Sequence, residues 1–388
     1  MKICLVSEEF PVETQKGGIA TYQYHISKDF ILLGHEVHVI CKTLESNDRE
    51  EVFEGVYLHY ISGKSEENLD DNILYRKKVT SKMKELEEKI DIFEVADWGA
   101  EGFYYLKNRK KPVVIKLHTP LFVWNRYNQV AMTDRMKKVE KEEIESLKLA
   151  DSIYSCSNSL AKMVKEELPS IGDIEVIYNP MPEIKRHFNR KEQKFILFVG
   201  SLEERKGVLN LAYVLNDFLE QNPDFKFVFA GKDTNRNQYN KSTISVILSR
   251  VKSEFHSRII FKGQCSKEML EQLFLTAYTC IFPSLFENFP YVMLEAISMG
   301  CPVIGSINGG MAEIIQDGNS GWLCDPYSQK NLLKTLQNVL NTDENERCSV
   351  AKRAKKRVID LNLGGVAETT VDYYKKVIKK YEVVSNCD

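Results

Sequence analysis

Short apolar, β-rich runs alternate with helix-length segments along the whole 388-residue chain, and the alternation stops once and starts again. KICLVS, HEVHVICK, VYLHYIS, DIFEVA, PVVIKLH, SIYSCS and IEVIYN form the first series. After the polar stretch PEIKRHFNRKEQ (182–193) come KFILFVG, FKFVFAG, IIFKG, TCIFPS and PVIGS. Strands alternating with helices build parallel sheets covered on both faces, and a single polar break between two such series predicts two doubly wound domains. A chain of this length also exceeds one ordinary domain. The expected boundaries are 1–182 and 183–365. A last helix, within 366–388, follows the second sheet and is expected to cross back onto the first domain. Ligands of such sheets lie at the carboxyl ends of the strands, and two facing domains make a cleft.

Composition narrows the function. The formal charge is −2, which excludes a broadly basic nucleic-acid binder. Residues 1–185 hold 26 Lys and Arg against 32 Asp and Glu, and the remainder 27 against 23, so the second half is the one suited to an anionic ligand. Nine scattered cysteines without a C-x-x-C indicate neither a disulfide framework nor a zinc ribbon. The start, MKICLVSEEF, is acidic too soon for a signal peptide, and no apolar run reaches membrane-span length. A cytoplasmic protein is expected. The basic run Lys107, Arg109, Lys110 and Lys111 allows peripheral contact with the inner membrane face as well as a solvated surface. Dinucleotide chemistry is disfavoured, because the first βα loop reads SEEFPVETQKGGIATY and contains no G-x-G-x-x-G.

Four loops carry the candidate chemistry. QKGGIATY (15–22) places Gly17 and Gly18 between a strand and a helix, where a ligand anion can approach the backbone amides, with Lys16 adding charge. FVGSLEERKG (198–207) sets Arg205 and Lys206 at an expected helix start, where the helix dipole disfavours cations unless an anion lies nearby. A diphosphate would resolve that conflict. KLHTP (116–120) puts His118 just past a very apolar strand, followed by the aromatic and basic LFVWNRYN, a candidate acceptor wall.

The fourth is FENFPYVMLEAISMGCPVIGS (286–306), an apolar stretch holding two glutamates, Glu287 and Glu295. Asn288, Phe289 and Pro290 break structure before a helix over 291–299, and Gly300 closes it ahead of a buried strand. Eight residues of helix separate side chains by roughly 12 Å, so the glutamates cannot pair with each other. A lone buried carboxylate is costly. The amides at 288–290 can hold phosphate, less the donor that Pro290 lacks. Glu295 then suits a ribose diol, and Glu287 a sugar on the far side of the diphosphate.

With this Glu-x7-Glu segment the chain resembles the retaining glycosyltransferases of the GT-B fold, glycosyltransferase family 4. The resemblance runs from KGGIATY through DWGAEG, HTP, GSLEERKGV, FAGKD and FPSLFENFP to LEAISMGCPVIGSINGGMAEII and DGNSGWL. It implies two Rossmann-like domains facing a central cleft, the first on the acceptor side and the second holding the donor. It further implies that Glu287 contacts the donor sugar, Glu295 the ribose, Arg205 and Lys206 the diphosphate, and His118 the sugar near the reacting carbon. Gly17 and Gly18 would close over the phosphates. The chain departs from the family at Ser201, where an Arg is usual, at Asn288-Phe289-Pro290, and at Tyr178-Asn179-Pro180-Met181; these departures bear on the donor sugar rather than on the reaction.

The reaction expected is transfer from a UDP-linked sugar to a hydroxyl acceptor, with retention, by a front-face path. The acceptor is a glycan, a lipid-linked sugar or a small molecule of bacterial-type glycan biosynthesis. No Asp-x-Asp metal motif occurs, so no metal and no further cofactor are expected. A UDP-sugar epimerase of the same fold and a non-catalytic nucleotide-sugar-binding subunit are the alternatives. The first would turn over the donor without an acceptor.

Overall fold

The structure is a computed structural model that describes residues 1–11, 13–14, 17–63, 71–181, 190–361 and 365–385. It divides into two compact units, one of residues 1–122, 132–182 and 363–388, the other of 123–131 and 183–362. Most of the polar break, 182–189, lies outside the described residues, as does Lys16.

The first unit is built on an eight-stranded sheet: β1 (Lys2–Val6), β2 (Glu36–Thr43), β3 (Arg49–Phe53), β4 (Val56–Ser62), β5 (Ile92–Ala96), β6 (Val113–Leu117), β7 (Ser152–Ser155) and β8 (Ile174–Val176). Their order is β3-β4-β2-β1-β5-β6-β7-β8. The first of these strands lies inside the sheet and leads to the two sides in turn. β5 and β6 are buried at every residue, as strands covered on both faces must be. One edge differs from the all-parallel expectation. REEVF pairs antiparallel with β4 through a tight turn at Glu54 and Gly55, both with positive φ. Its partly to fully exposed residues give it no apolar signature, which is why only the second strand of the hairpin shows in the sequence.

A buried polar cluster ties the last helix, Val366–Ser385, into this unit. Glu94 of β5 is wholly buried, and its Oε2 accepts hydroxyls of Tyr22 (3.3 Å), Tyr154 and Tyr374. Lys116 of β6, equally buried, holds its Nζ 4.2 Å and 4.4 Å from the ring centres of Tyr22 and Tyr154. Hydroxyl donors and π faces replace the water that both charges have lost.

The second unit has a six-stranded, wholly parallel sheet: β9 (Gln193–Val199), β10 (Lys226–Ala230), β11 (Ile259–Gly263), β12 (Ala277–Ile281), β13 (Val303–Ser306) and β14 (Trp322–Cys324), in the order β11-β10-β9-β12-β13-β14. Its core packs Ile196, Phe198, Phe227, Phe229, Ile281 and Ile304 with the helices that cover the sheet. Each such side chain contributes roughly 1.5–3 kcal/mol on burial. Strand order reverses between β9 and β12, and the loops leaving a reversal point diverge to opposite faces and leave a crevice. Those two loops are 200–207 and 282–290. Among the described residues no helix is long and apolar enough to cross a membrane.

Candidate active site

Two glycines force the second unit's loops together. Gly207, at φ +72, ends the turn after the basic pair; a Cβ there would lie 1.8 Å from the carbonyl oxygen of Pro283. Gly309, at φ +82, lies against Glu287, where a Cβ would come within 2.1 Å of its carbonyl oxygen. No other residue fits either position. The backbone closes the arrangement: Leu285 N–H donates to Arg205 O at 2.8 Å, and Gly310 N–H to Glu287 O at 2.9 Å.

Glu287 is thereby delivered to the basic pair. Its Oε2 accepts from Arg205 Nη1 at 3.2 Å and from Lys206 Nζ. The Arg205 guanidinium also donates to Phe286 O at 3.2 Å and to Glu203 Oε1 at 2.8 Å. Burial alone would raise the Glu287 carboxyl, but Lys206 and Arg205 outweigh it and hold it at about 2. The sequence assigned Arg205 and Lys206 to a diphosphate and Glu287 to a sugar. The structure brings all three into one cluster in which the cations meet the carboxylate. The pair occupies a single 3-10 turn, Glu204–Lys206, rather than the start of a long helix; the α-helix that follows, Val208–Ala212, begins only after Gly207.

Asn288, Phe289 and Pro290 are buried and lead into the helix Tyr291–Ser298, with Pro290 at its N-cap. Pro290 has no amide to lose there, and the first-turn N–H groups stand next in the chain after Glu287. Glu295 lies in the second turn of that helix. Burial pushes its carboxyl up to about 7, with Lys267 opposing and Glu271 assisting. The two glutamates of the motif therefore differ in kind: one is locked in the ionised form, the other is poised near neutrality.

A cavity of about 420 Å3, lined by Lys232, Asp233, Thr234, Asn235, Arg236 and Ser242, adjoins this cluster. Thr234 donates to Leu202 O at 2.7 Å, and Arg236 reaches Glu203 at 3.4 Å. Neither Glu203 nor this polar loop was singled out from the sequence beyond the FAGKD match. The signal was available: a run of polar residues, KDTNRN, leaves the carboxyl end of an apolar strand.

In the first unit His118 follows β6, its ring edge-on to Tyr22 with centres 5.3 Å apart. Burial, and then the charge of Lys116, hold the imidazole well below its ordinary value, so it is neutral at pH 7. Three buried carboxyls at the same sheet edge escaped the sequence reading. Burial raises Asp97 to about 7 and, together with the charge of Glu8, Glu101 to about 8. Glu143 accepts the N–H groups of Gly99 and Leu121, both at 2.7 Å, and so braces the loops after β5 and β6. Gly17 caps the helix Gly18–Leu32 and, like Gly18, is exposed. Among the described residues no group of three or more His, Cys, Asp or Glu is placed to hold a metal ion.

The profile described as "Glycosyltransferase Family 4" matches residues 16–182, and "Glycosyl transferases group 1" matches 181–357. An uncharacterised glycosyltransferase of Methanocaldococcus jannaschii is 25% identical over 97% of this chain and 98% of its own. Among solved structures, sucrose-phosphate synthase from Thermosynechococcus elongatus superposes with a TM-score of 0.76 at 19% identity, covering 98% of this chain and 99% of its own. S. aureus TarM, in complex with fondaparinux, alpha-GlcNAc-glycerol and UDP, gives 0.72 at 12%, covering 96% and 99%. Two parallel-sheet, Rossmann-like units with this loop cluster define a glycosyltransferase. The chain belongs to glycosyltransferase family 4 and has the GT-B fold.

Proposed function

We propose that the protein transfers a glycosyl group from a nucleoside diphosphate sugar, UDP-linked, to a hydroxyl acceptor with retention of anomeric configuration. The convergence of Arg205 and Lys206 on one oxygen of Glu287, beside a helix N-terminus, carries this reading. Two cations around a single carboxylate oxygen form a ready anion site. A departing diphosphate gains negative charge as the glycosidic bond breaks, and such a cluster stabilises it without a divalent ion. The 291–298 helix start adds amide donors. Glu295 accepts from the ribose diol, and the polar cavity beside Glu203 takes the base.

Glu287 faces the sugar in this reading, with its charge kept in register by the two cations. His118, neutral, makes the sugar contact that the family resemblance implies. No carboxylate is assigned as a covalent nucleophile, so the path is front-face and oxocarbenium-like. The acceptor belongs to bacterial-type glycan or glycoconjugate synthesis, and the setting is cytoplasmic. TarM supports the nucleotide, since the complex of that similar fold includes UDP.

The test is a panel of UDP-, ADP- and GDP-sugars, with released nucleoside diphosphate and product anomer followed by NMR. An α-linked product from an α-linked UDP-sugar, formed only with acceptor present, is the expected result. Inverted product, or donor turnover that never needs an acceptor, overturns the proposal.

A further inference from the structure

The turn that presents the basic pair lacks a cap of its own. Glu203, the residue preceding Glu204–Lys206, makes no side-chain cap hydrogen bond. The amide of Arg205 is one of the donors that a turn of this kind leaves without an internal partner. It is met instead by a side chain 77 residues away: Arg205 N–H donates to Asn128 Oδ1 at 3.1 Å. Asn128 is completely buried, and among the described residues its Nδ2 has no hydrogen-bond partner.

The rest of that segment lands on the same cluster. Residues 123–131 belong to the second unit. The Tyr127 ring stacks on Phe286, the residue before Glu287, with centres 5.2 Å apart and planes 11° from parallel. Trp124 lies 5.7 Å from the guanidinium of Arg236, which shares Glu203 with Arg205. Immediately after Asn128 the chain is forced to turn: Gln129 takes a left-handed φ of +52, rare for a residue with a side chain, while its amide donates to Asn125 O at 2.8 Å.

We infer that Asn128 is a positioning residue for transfer: it caps the Glu204–Lys206 turn and so aims Arg205 and Lys206 at the leaving diphosphate. The inference rests on the proposed function. A cap acting through the backbone supplies no charge to the donor, so its loss misaligns the cations and costs turnover more than ground-state binding.

Asn128→Ala and Asn128→Asp separate this role from simple packing. Asp keeps the Oδ acceptor for the Arg205 amide, whereas Ala removes it. With the UDP-sugar donor, Asn128→Ala should lower kcat roughly tenfold, the size of a lost cap, while donor KM changes by less than about threefold. Asn128→Asp should recover most of the kcat. Should the alanine variant fail to fold, Asn128→Gln, which moves the amide by one methylene, replaces it with the same expected loss. Wild-type kcat in the Ala or Gln variant overturns the inference whatever the melting temperature does, and so does an equal loss in the Asp variant. A wild-type protein that binds no UDP, ADP or GDP and transfers no sugar would instead remove the proposed function beneath it.

Discussion

Glu94 in the first unit and Glu287 in the second are both withdrawn from water, and the protein meets the same electrostatic problem in opposite ways. Around Glu94 the answer is three tyrosine hydroxyls, with Lys116 held against two of their rings. Burial dominates there and pushes the carboxyl above its ordinary value, against the pull of Lys116 and the hydroxyls. Around Glu287 the answer is two cations, which overcome burial and hold it at about 2. The hydroxyl solution draws on β5, β7, the helix Gly18–Leu32 and the helix Val366–Ser385, so it braces the unit. The ionic solution uses two adjacent residues and one loop, at the carboxyl edge where strand order reverses. It also leaves the cations in partnership with an anion that another anion can rival. Similar burial therefore serves stability in one place and, under the proposed function, chemistry in the other.

The strongest challenge to that contrast is to delete each carboxylate. Glu94→Ala should cost about 3–5 kcal/mol in urea unfolding, because Lys116 and the hydroxyls stay buried without their acceptor. Glu287→Gln should cost less, since Arg205 keeps Glu203 and Phe286 O and Lys206 is only partly buried, yet it should cut turnover severely. Equal stability losses would erase the distinction. Next in size, Lys206→Ala should lower turnover on the order of a hundredfold, and wild-type activity should persist in excess EDTA. Exposed Lys191→Ala is the control and should change little. Activity lost to EDTA and restored by magnesium, with Lys206→Ala near normal, would move leaving-group stabilisation away from the basic pair.

A smaller effect separates the two glutamates of the motif. Glu295→Gln should weaken UDP by roughly 1–3 kcal/mol in calorimetry, while Glu287→Gln does not weaken it. A weaker UDP affinity in Glu287→Gln, matching the Glu295→Gln loss, would show that the two residues do not divide the donor between them. The smallest is a pH effect. Glu295 holds its proton up to about pH 7, and only the ionised form accepts from both ribose hydroxyls. Binding below that value must expel the proton, so UDP affinity should rise about tenfold from pH 6 to pH 8 and then level off. The Glu295→Gln variant should show no such rise; a slope that survives the substitution belongs to another group.

The alternation of apolar runs was sufficient to read two doubly wound units, because strands buried on both faces carry a nearly continuous apolar signal. REEVF and Trp322–Cys324 escaped it, one being a charged edge and the other too short to show a period. Of the candidate site, Glu287, Arg205 and Lys206 stood out as charges in unlikely settings. That they meet one another was not legible, since 81 and 82 residues separate the carboxylate from its partners. Asp97, Glu101 and Glu143 look like ordinary surface acids until the sheet edge buries them. The LFVWNRYN run has an unusual aromatic and basic composition, and its place before the polar break puts it in the N-terminal domain. Its residues from 123 onward belong to the second unit instead, held by the stacking of Tyr127 and the amide of Asn128, which no local pattern encodes.

The tyrosine cluster also bears on how the chain is made. Tyr374 provides one of the three hydroxyls around Glu94, and it leaves the ribosome after the whole of 183–362. Every strand of the second sheet is therefore synthesised before the first sheet can satisfy its most deeply buried acid. During translation the nascent first unit carries an unfinished core around Glu94 and Lys116, while the later-made unit is already free to close. The order of synthesis and the order of completion are thus inverted: an acid on an early-made strand waits for the hydroxyl of the last helix to join those of Tyr22 and Tyr154.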